Sequence, residues 1–312
     1  MALLLTTLKN YDREELKTFF RELLDSDFGQ RLEGKKTVLL KPNFVVPEAP
    51  ELGATTHPDF YMSLAIVLQE RGKTVAIGES PAFGSCEKAL CSHGVYEECL
   101  ERGIEVVEFR KSVNYTGVED ESAYETLSIA KEIGRFDAMI NLPKLKVHQQ
   151  FVFTGATKNL YGCVVGKRKV FRHNTCKNDP TRFAKMVIAN AEQAAAVLHI
   201  SDGIHAMHVK GPRGGEVYPL TKVIVSDSYL EHDYIFAKMI GLTPEKTPLF
   251  KAVEPKTCEE LARVCEKILT KDDFTVPKDF IHSYRTDISF SPFALMRSAY
   301  RSVKIRMKLL GV

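Results

Sequence analysis

The chain has 312 residues and a mass of 35.1 kDa, with 44% of its residues hydrophobic and 27% charged, a composition suited to a soluble protein with a sizeable core. Forty-three lysines and arginines against 40 acidic residues leave a formal net charge of only +3, so nucleic acid is not an expected partner. Seven cysteines without a Cys-x-x-Cys pair, behind an apolar opening soon broken by Lys9, Asp12 and Arg13, fit reduced thiols in the cytoplasm and neither a signal peptide nor a membrane span.

Residues 3–8 read as a strand and 13–24 as a helix, through Leu16, Phe19, Phe20, Leu23 and Leu24. A buried strand is expected at 37–40, a helix at 61–69 and a strand at 74–77. Further strands fall at 104–109, 127–130 and 136–142, then a helix at 182–195, strands at 197–201 and 222–225, and a helix at 229–240 closed by Gly241. This alternation predicts an α/β fold, a mainly parallel sheet with helices on both faces. Residues 1–290 are expected to form one domain, with two α/β lobes around a cleft as the alternative. Residues 291–312, with Arg297, Arg301, Lys304, Arg306 and Lys308, predict a basic amphipathic helix. Docking on the domain is its simpler fate, and contact with a membrane the less favoured one.

Ligands of open α/β sheets gather where strands end. Such ends here deliver Lys41-Pro42-Asn43, Gly78-Glu79-Ser80-Pro81, and Pro143 with Lys144, Lys146 and His148. Taken alone, Lys41 reads as a snorkelling lysine, Asn43 as a turn residue and His57 as a helix cap. The cluster says more. Between Asp137 and Asp179 there is no acidic residue, but there are Lys144, Lys146, His148, Lys158, Lys167, Arg168, Lys169, Arg172, His173 and Lys177. Threaded through glycines, this stretch looks like a surface shaped for an anion. The small residues 154–157 offer backbone amides to an oxyanion beside Lys158. Neither a Walker loop nor a Rossmann fingerprint is present.

The expected site therefore uses Lys41, Asn43, Lys144, Lys146, Thr154, Gly155, Thr157 and Asn159 to hold a small carboxylate or phosphate, with His148, Lys158 and His173 as the catalytic groups. His148 would transfer a proton, and Lys158 would stabilise charge or anchor a cofactor. His173 and Asp202 are the candidate ligands for a metal ion. Segment 210–215 is expected as a lid, and Asp233 as a favourable charge near a helix start.

The blocks Lys41-Pro42-Asn43, Gly78-Glu79-Ser80-Pro81, residues 141–148, residues 154–162, His173, Asp202-Gly203-Ile204, Gly211-Pro212 and Asp233 resemble the family called domain of unknown function 362. Members are often fused to a ferredoxin-like module and labelled iron-sulfur proteins. This chain lacks the cysteine run that would hold a cluster, so the likeness implies at most a ferredoxin-like partner, for a redox adaptor rather than an enzyme. The spacing of His148, Lys158 and His173 is more distantly similar to the nickel-pincer lactate racemase family. That likeness implies a lysine–histidine site rather than racemisation itself, with Lys158 anchoring a pincer cofactor, His148 as acid/base and His173 on nickel; an isomerase of racemase type or an oxidoreductase are the enzyme classes expected.

Overall fold

The computed structural model describes residues 2–116, 126–166, 169, 176, 179–271 and 274–283. His173, Lys167, Arg168, Arg172, Lys177 and the helix expected at 291–312 lie outside the described residues.

The chain opens with β1 (Leu3–Thr7) and α1 (Arg13–Asp25). Asp12 caps α1 by accepting the amide hydrogens of Glu14 and Glu15, and its stripe of Leu16, Phe20, Leu23 and Leu24 is buried. A βαβ unit follows: β2 (Thr37–Pro42), α2 (Pro58–Glu70) and β3 (Thr74–Glu79). His57 does cap α2, its ring accepting from Asp59 N, and Pro58 starts the helix. Two short helices, α3 (Cys86–Ser92) and α4 (Tyr96–Glu101), lead to β4 (Glu105–Glu108). A separate hairpin, β5 (Ser112–Thr116) and β6 (Thr126–Ala130), precedes β7 (Ala138–Leu142).

The central stretch then forms β8 (Lys144–His148), β9 (Val152–Thr154) and α5 (Ala156–Leu160). After α6 (Pro180–Ala194) come β10 (Leu198–Ile200), β11 (Asp202–His208), β12 (Glu216–Tyr218) and β13 (Lys222–Ser226). The described chain closes with α7 (Tyr229–Met239), α8 (Pro248–Lys251) and α9 (Pro255–Lys271).

Eleven strands make one sheet in the order β4-β3-β2-β7-β10-β13-β11-β8-β9, with β1 on β13 and β12 on β11. Pairing is parallel from β4 through β10, and antiparallel strands gather about β13. Along β2, Val38 and Leu40 pack on the side of α1 and α2, whereas Leu39 joins Leu160, Ala191 and Ala194 on the other. The α/β class with helices on both faces is thus the observed one.

From β2 the chain steps outward through α2 to β3 and β4, and β7 returns on the opposite side of β2. The tips of β2 and β7 therefore flank a topological switch, the place where open α/β sheets bind ligands. One expectation needs correction. The basic stretch after Pro143 is no exposed surface, because Lys144, Lys146 and His148 alternate with Leu145 and Val147 along a strand and all five are buried.

Candidate functional site

Beside the switch lies a cleft of about 180 Å³, bordered by Asn43, Glu79, Lys146, His148, Lys158 and Lys169. Its floor is a chain of buried amides. Lys146 donates to Asn43 Oδ1 at 2.8 Å, Asn43 Nδ2 to Asn159 Oδ1 at 2.7 Å, and Asn159 Nδ2 to Asn141 Oδ1 at 2.8 Å. Asn141 Nδ2 in turn donates to Ala156 O and to His199 Nδ1, whose ring burial pushes down to about 3 and so keeps neutral. Asn43, expected to help hold the anion, borders the cleft and is one link in a satisfied network that fixes α5 against the strand tips.

Lys146, Lys158 and Lys169 stand on the walls of the cleft, whereas Lys41, expected among the anion-holding residues, lies off the lining beside Glu79. Lys41 is buried and paired with Glu79 Oε2 at 2.5 Å. Lys169 bonds the carbonyl of Ser80, and its ammonium stands 3.8 Å from Glu79 Oε1. One buried carboxylate thus faces two lysines. Lys146, bonded to Asn43 and to the carbonyl of Ala54, has no carboxylate among its hydrogen-bond partners. Lys158 has no hydrogen bond to a described residue: its nitrogen lies over the rings of Tyr161 and Phe183, 4.8 and 5.4 Å from their centroids, while its side chain is only partly buried. Burial, then the charge of Lys169 and Lys41, pushes Lys158 down to about 7. Burial likewise brings Lys146 down to about 7 and Lys169 to about 8, although carboxylates pull the other way on both.

His148 is buried on the cleft wall, and its Nδ1 accepts the amide hydrogens of Gln150 and Phe151. That fixes the tautomer with hydrogen on Nε2, a donor rather than a base at that atom. Gly162 also belongs here. A Cβ on it would stand 2.5 Å from Lys41 Nζ and 2.8 Å from Glu79 Oε1.

Two expectations are overturned. The amides of the 154–157 turn do cradle an oxyanion, but it is internal: Asp233 accepts from Ala156 N at 2.6 Å and Thr157 N at 3.0 Å. Buried Asp233, expected as a mere helix-start charge, replaces the missing cap of α5. Of that turn, Thr154 alone borders the cleft; Gly155 and Thr157 pack on Asp233. Lys144 likewise is no wall of the cleft. Its ammonium pairs with Asp202 Oδ2 at 2.8 Å and contacts Tyr11 Oη at 3.0 Å.

Asp202 accepts from Tyr11 and from His57 N as well, so its carboxylate is taken up by a structural cluster. Among the described residues no three His, Cys, Asp or Glu side chains converge to hold a metal. The loop expected as a lid packs closely on β8: a Cβ on Gly211 would stand 1.7 Å from Val147 O, and Arg213 pairs with Glu48 at 2.8 Å.

The family described as Domain of unknown function (DUF362) matches residues 38–238. The chain belongs to this family. It is 32% identical over 248 residues to the Thylakoid-associated protein sll1697 of Synechocystis sp., an alignment covering 79% of this chain and 76% of that relative. Among solved structures, the lactate racemase apoprotein from Thermoanaerobacterium thermosaccharolyticum is similar with a TM-score of 0.49 and 11% identity; the match covers 76% of this chain and 56% of that one.

All the cleft residues fall inside the stretch that defines DUF362 membership, and Tyr11 lies outside it. Sequence reasoning missed Glu79 and Lys169 as members of the site. Glu79 stands in the strand-end block 78–81; its signal is its place at the end of a buried strand, where an acid meets the lysine at the neighbouring tip. Lys169 sat unremarked in the basic run.

Proposed function

We propose that the cleft binds a small anion, a carboxylate or a phosphate, and that the protein is an enzyme acting on it by lysine and histidine acid–base chemistry. One observation carries this reading. Lys146 and Lys158 bring amines to one small cleft without a bonded carboxylate among the described residues, and the acid that borders it there, Glu79, is already shared by Lys41 and Lys169. An uncompensated buried ammonium costs several kcal/mol, so the folded chain either releases protons from these amines or gains from an anion that supplies the missing charge. Lys146, Lys158 and Lys169 would hold the anion, and His148 Nε2–H would donate to the oxygen on which charge develops. The test is a thermal-shift comparison with lactate and phosphate: wild-type protein should be stabilised, Lys158→Ala should lose the response while melting near the wild-type temperature, and His148→Ala should lose it with the added cost of the two amides that its ring accepts. Large destabilisation by both would favour a structural role.

The described residues do not by themselves make a nickel-pincer site, and His173 lies outside them. The cleft of about 180 Å³ is smaller than the roughly 300–1,000 Å³ usual for cofactor sites, and no described trio of ligating side chains borders it. A reducing compartment such as the cytoplasm suits the seven free cysteines. No described helix is long and apolar enough to cross a membrane. The relative's name associates that protein with thylakoids; for this chain, liposome flotation with and without residues 291–312 tests whether that segment contacts a membrane. Salt-sensitive association with a ferredoxin, without any small ligand, would replace the enzyme reading by an adaptor.

A further inference from the structure

We propose that Lys158 is a Schiff-base nucleophile whose amine condenses with the ketone of a small 2-oxo acid, while Lys146 and Lys169 hold that acid's carboxylate. This deepens the anion-site reading and rests on it. Three lysines border the cleft and Lys41 is buried beside its Glu79; Lys41, Lys146 and Lys169 are each anchored to described oxygens, with Lys146 and Lys169 keeping a hydrogen to spare for an anion. Lys158 alone among them bonds to no described oxygen and lies on two aromatic faces, partly open to the cleft. Apolar walls and neighbouring cations are the conditions that turn a lysine into a neutral amine and hence a nucleophile. The lowered proton affinity of Lys158 at about 7 agrees with that geometry.

The step balances within the site. The amine nitrogen bonds the ketone carbon as the carbonyl electron pair moves to oxygen. That oxygen takes both protons from the nitrogen, the second carried across by a water molecule, while His148 Nε2–H only hydrogen-bonds the oxygen as its charge develops, and it then leaves as water. The nitrogen gives up both its hydrogens in total, so amine plus ketone yields imine plus water with no oxidant or reductant. Once protonated, the imine draws electrons from the adjacent carbon, which can then release a proton to a neighbouring base. Such an iminium would be compatible with the proton-transfer chemistry proposed for the site.

The experiment uses the full-length protein with pyruvate and sodium borohydride, read by intact mass and peptide mapping, beside calorimetry with pyruvate and with lactate, which has the carboxylate but no ketone. The expected result is one reduced carboxyethyl adduct on Lys158, blocked by excess lactate and absent from Lys158→Arg, which keeps the positive charge. Mapping in the wild-type chain decides the matter even if that variant folds poorly. Binding of both acids with no adduct, or with adducts spread over surface lysines, would overturn the nucleophile and leave the anion site standing. Binding of neither acid would remove both.

Discussion

Oδ1 of Asp233 occupies the space into which any side chain on Gly155 would grow: a Cβ there would stand 2.1 Å from it. The close approach lets Asp233 bond two amides of α5, and α5 carries Lys158 and Asn159. Gly155→Ala should therefore cost about 2–4 kcal/mol of stability, through displacement of a buried, hydrogen-bonded carboxylate. Urea denaturation measures it; a loss under ~0.5 kcal/mol would mean that α5 does not depend on Asp233.

Glu79 neutralises Lys41 at 2.5 Å inside the protein, with Lys169 close behind. Removing the acid leaves buried cations without compensation. Glu79→Gln should destabilise by about 3–5 kcal/mol near neutral pH, and Lys41→Met combined with Glu79→Gln should recover part of that. Equal loss in the single and double variants would contradict a direct charge pairing.

Lys158 offers the opposite case. Its ammonium lies on Tyr161 and Phe183 without a hydrogen bond to a described residue. A methionine of similar length keeps the packing and drops the charge, so Lys158→Met should change stability by less than about 1.5 kcal/mol, or raise it, at pH below ~7. Anion affinity, read by calorimetry, should fall at least about tenfold, the equivalent of ~1.4 kcal/mol.

The lysines also set a pH dependence. Lys146 and Lys158 at about 7 and Lys169 at about 8 lie below the ordinary lysine value of about 10.4. Between about pH 7 and 10 the unfolded chain binds more protons than the folded one, so these groups make stability rise with pH across that window. Below about 7 they are charged in both states and their contribution is flat and unfavourable. Denaturation midpoints from about pH 6 to 10 should show the rise, smaller in Lys158→Met; a slope equal in both proteins would exclude Lys158 as a contributor.

The α/β class was legible because buried strands such as 37–40 and 74–77 are short apolar runs between helices with a clear 3.6-residue stripe. The strand tips at Lys41, Asn43 and Asn141 were legible for the same reason, as the ends of those runs. β8 was not. Two lysines and a histidine at period two mask a strand when polarity is weighed before alternation, and its intact register of Leu145 and Val147 betrays it. The role of Asp233 was out of reach because its partners lie more than 70 residues away. Spacing showed a cradle and a lysine side by side; which anion fills the cradle depends on the path of α7.

The central claim is that the lysines of the cleft await an anion, and calorimetry of lactate or phosphate binding at about pH 7.5 in buffers of different ionisation enthalpy tests it most directly. An anion raises the proton affinity of Lys146, Lys158 and Lys169, so binding should be accompanied by net proton uptake that diminishes in Lys158→Met. Absence of binding, or binding with no proton uptake, would contradict it.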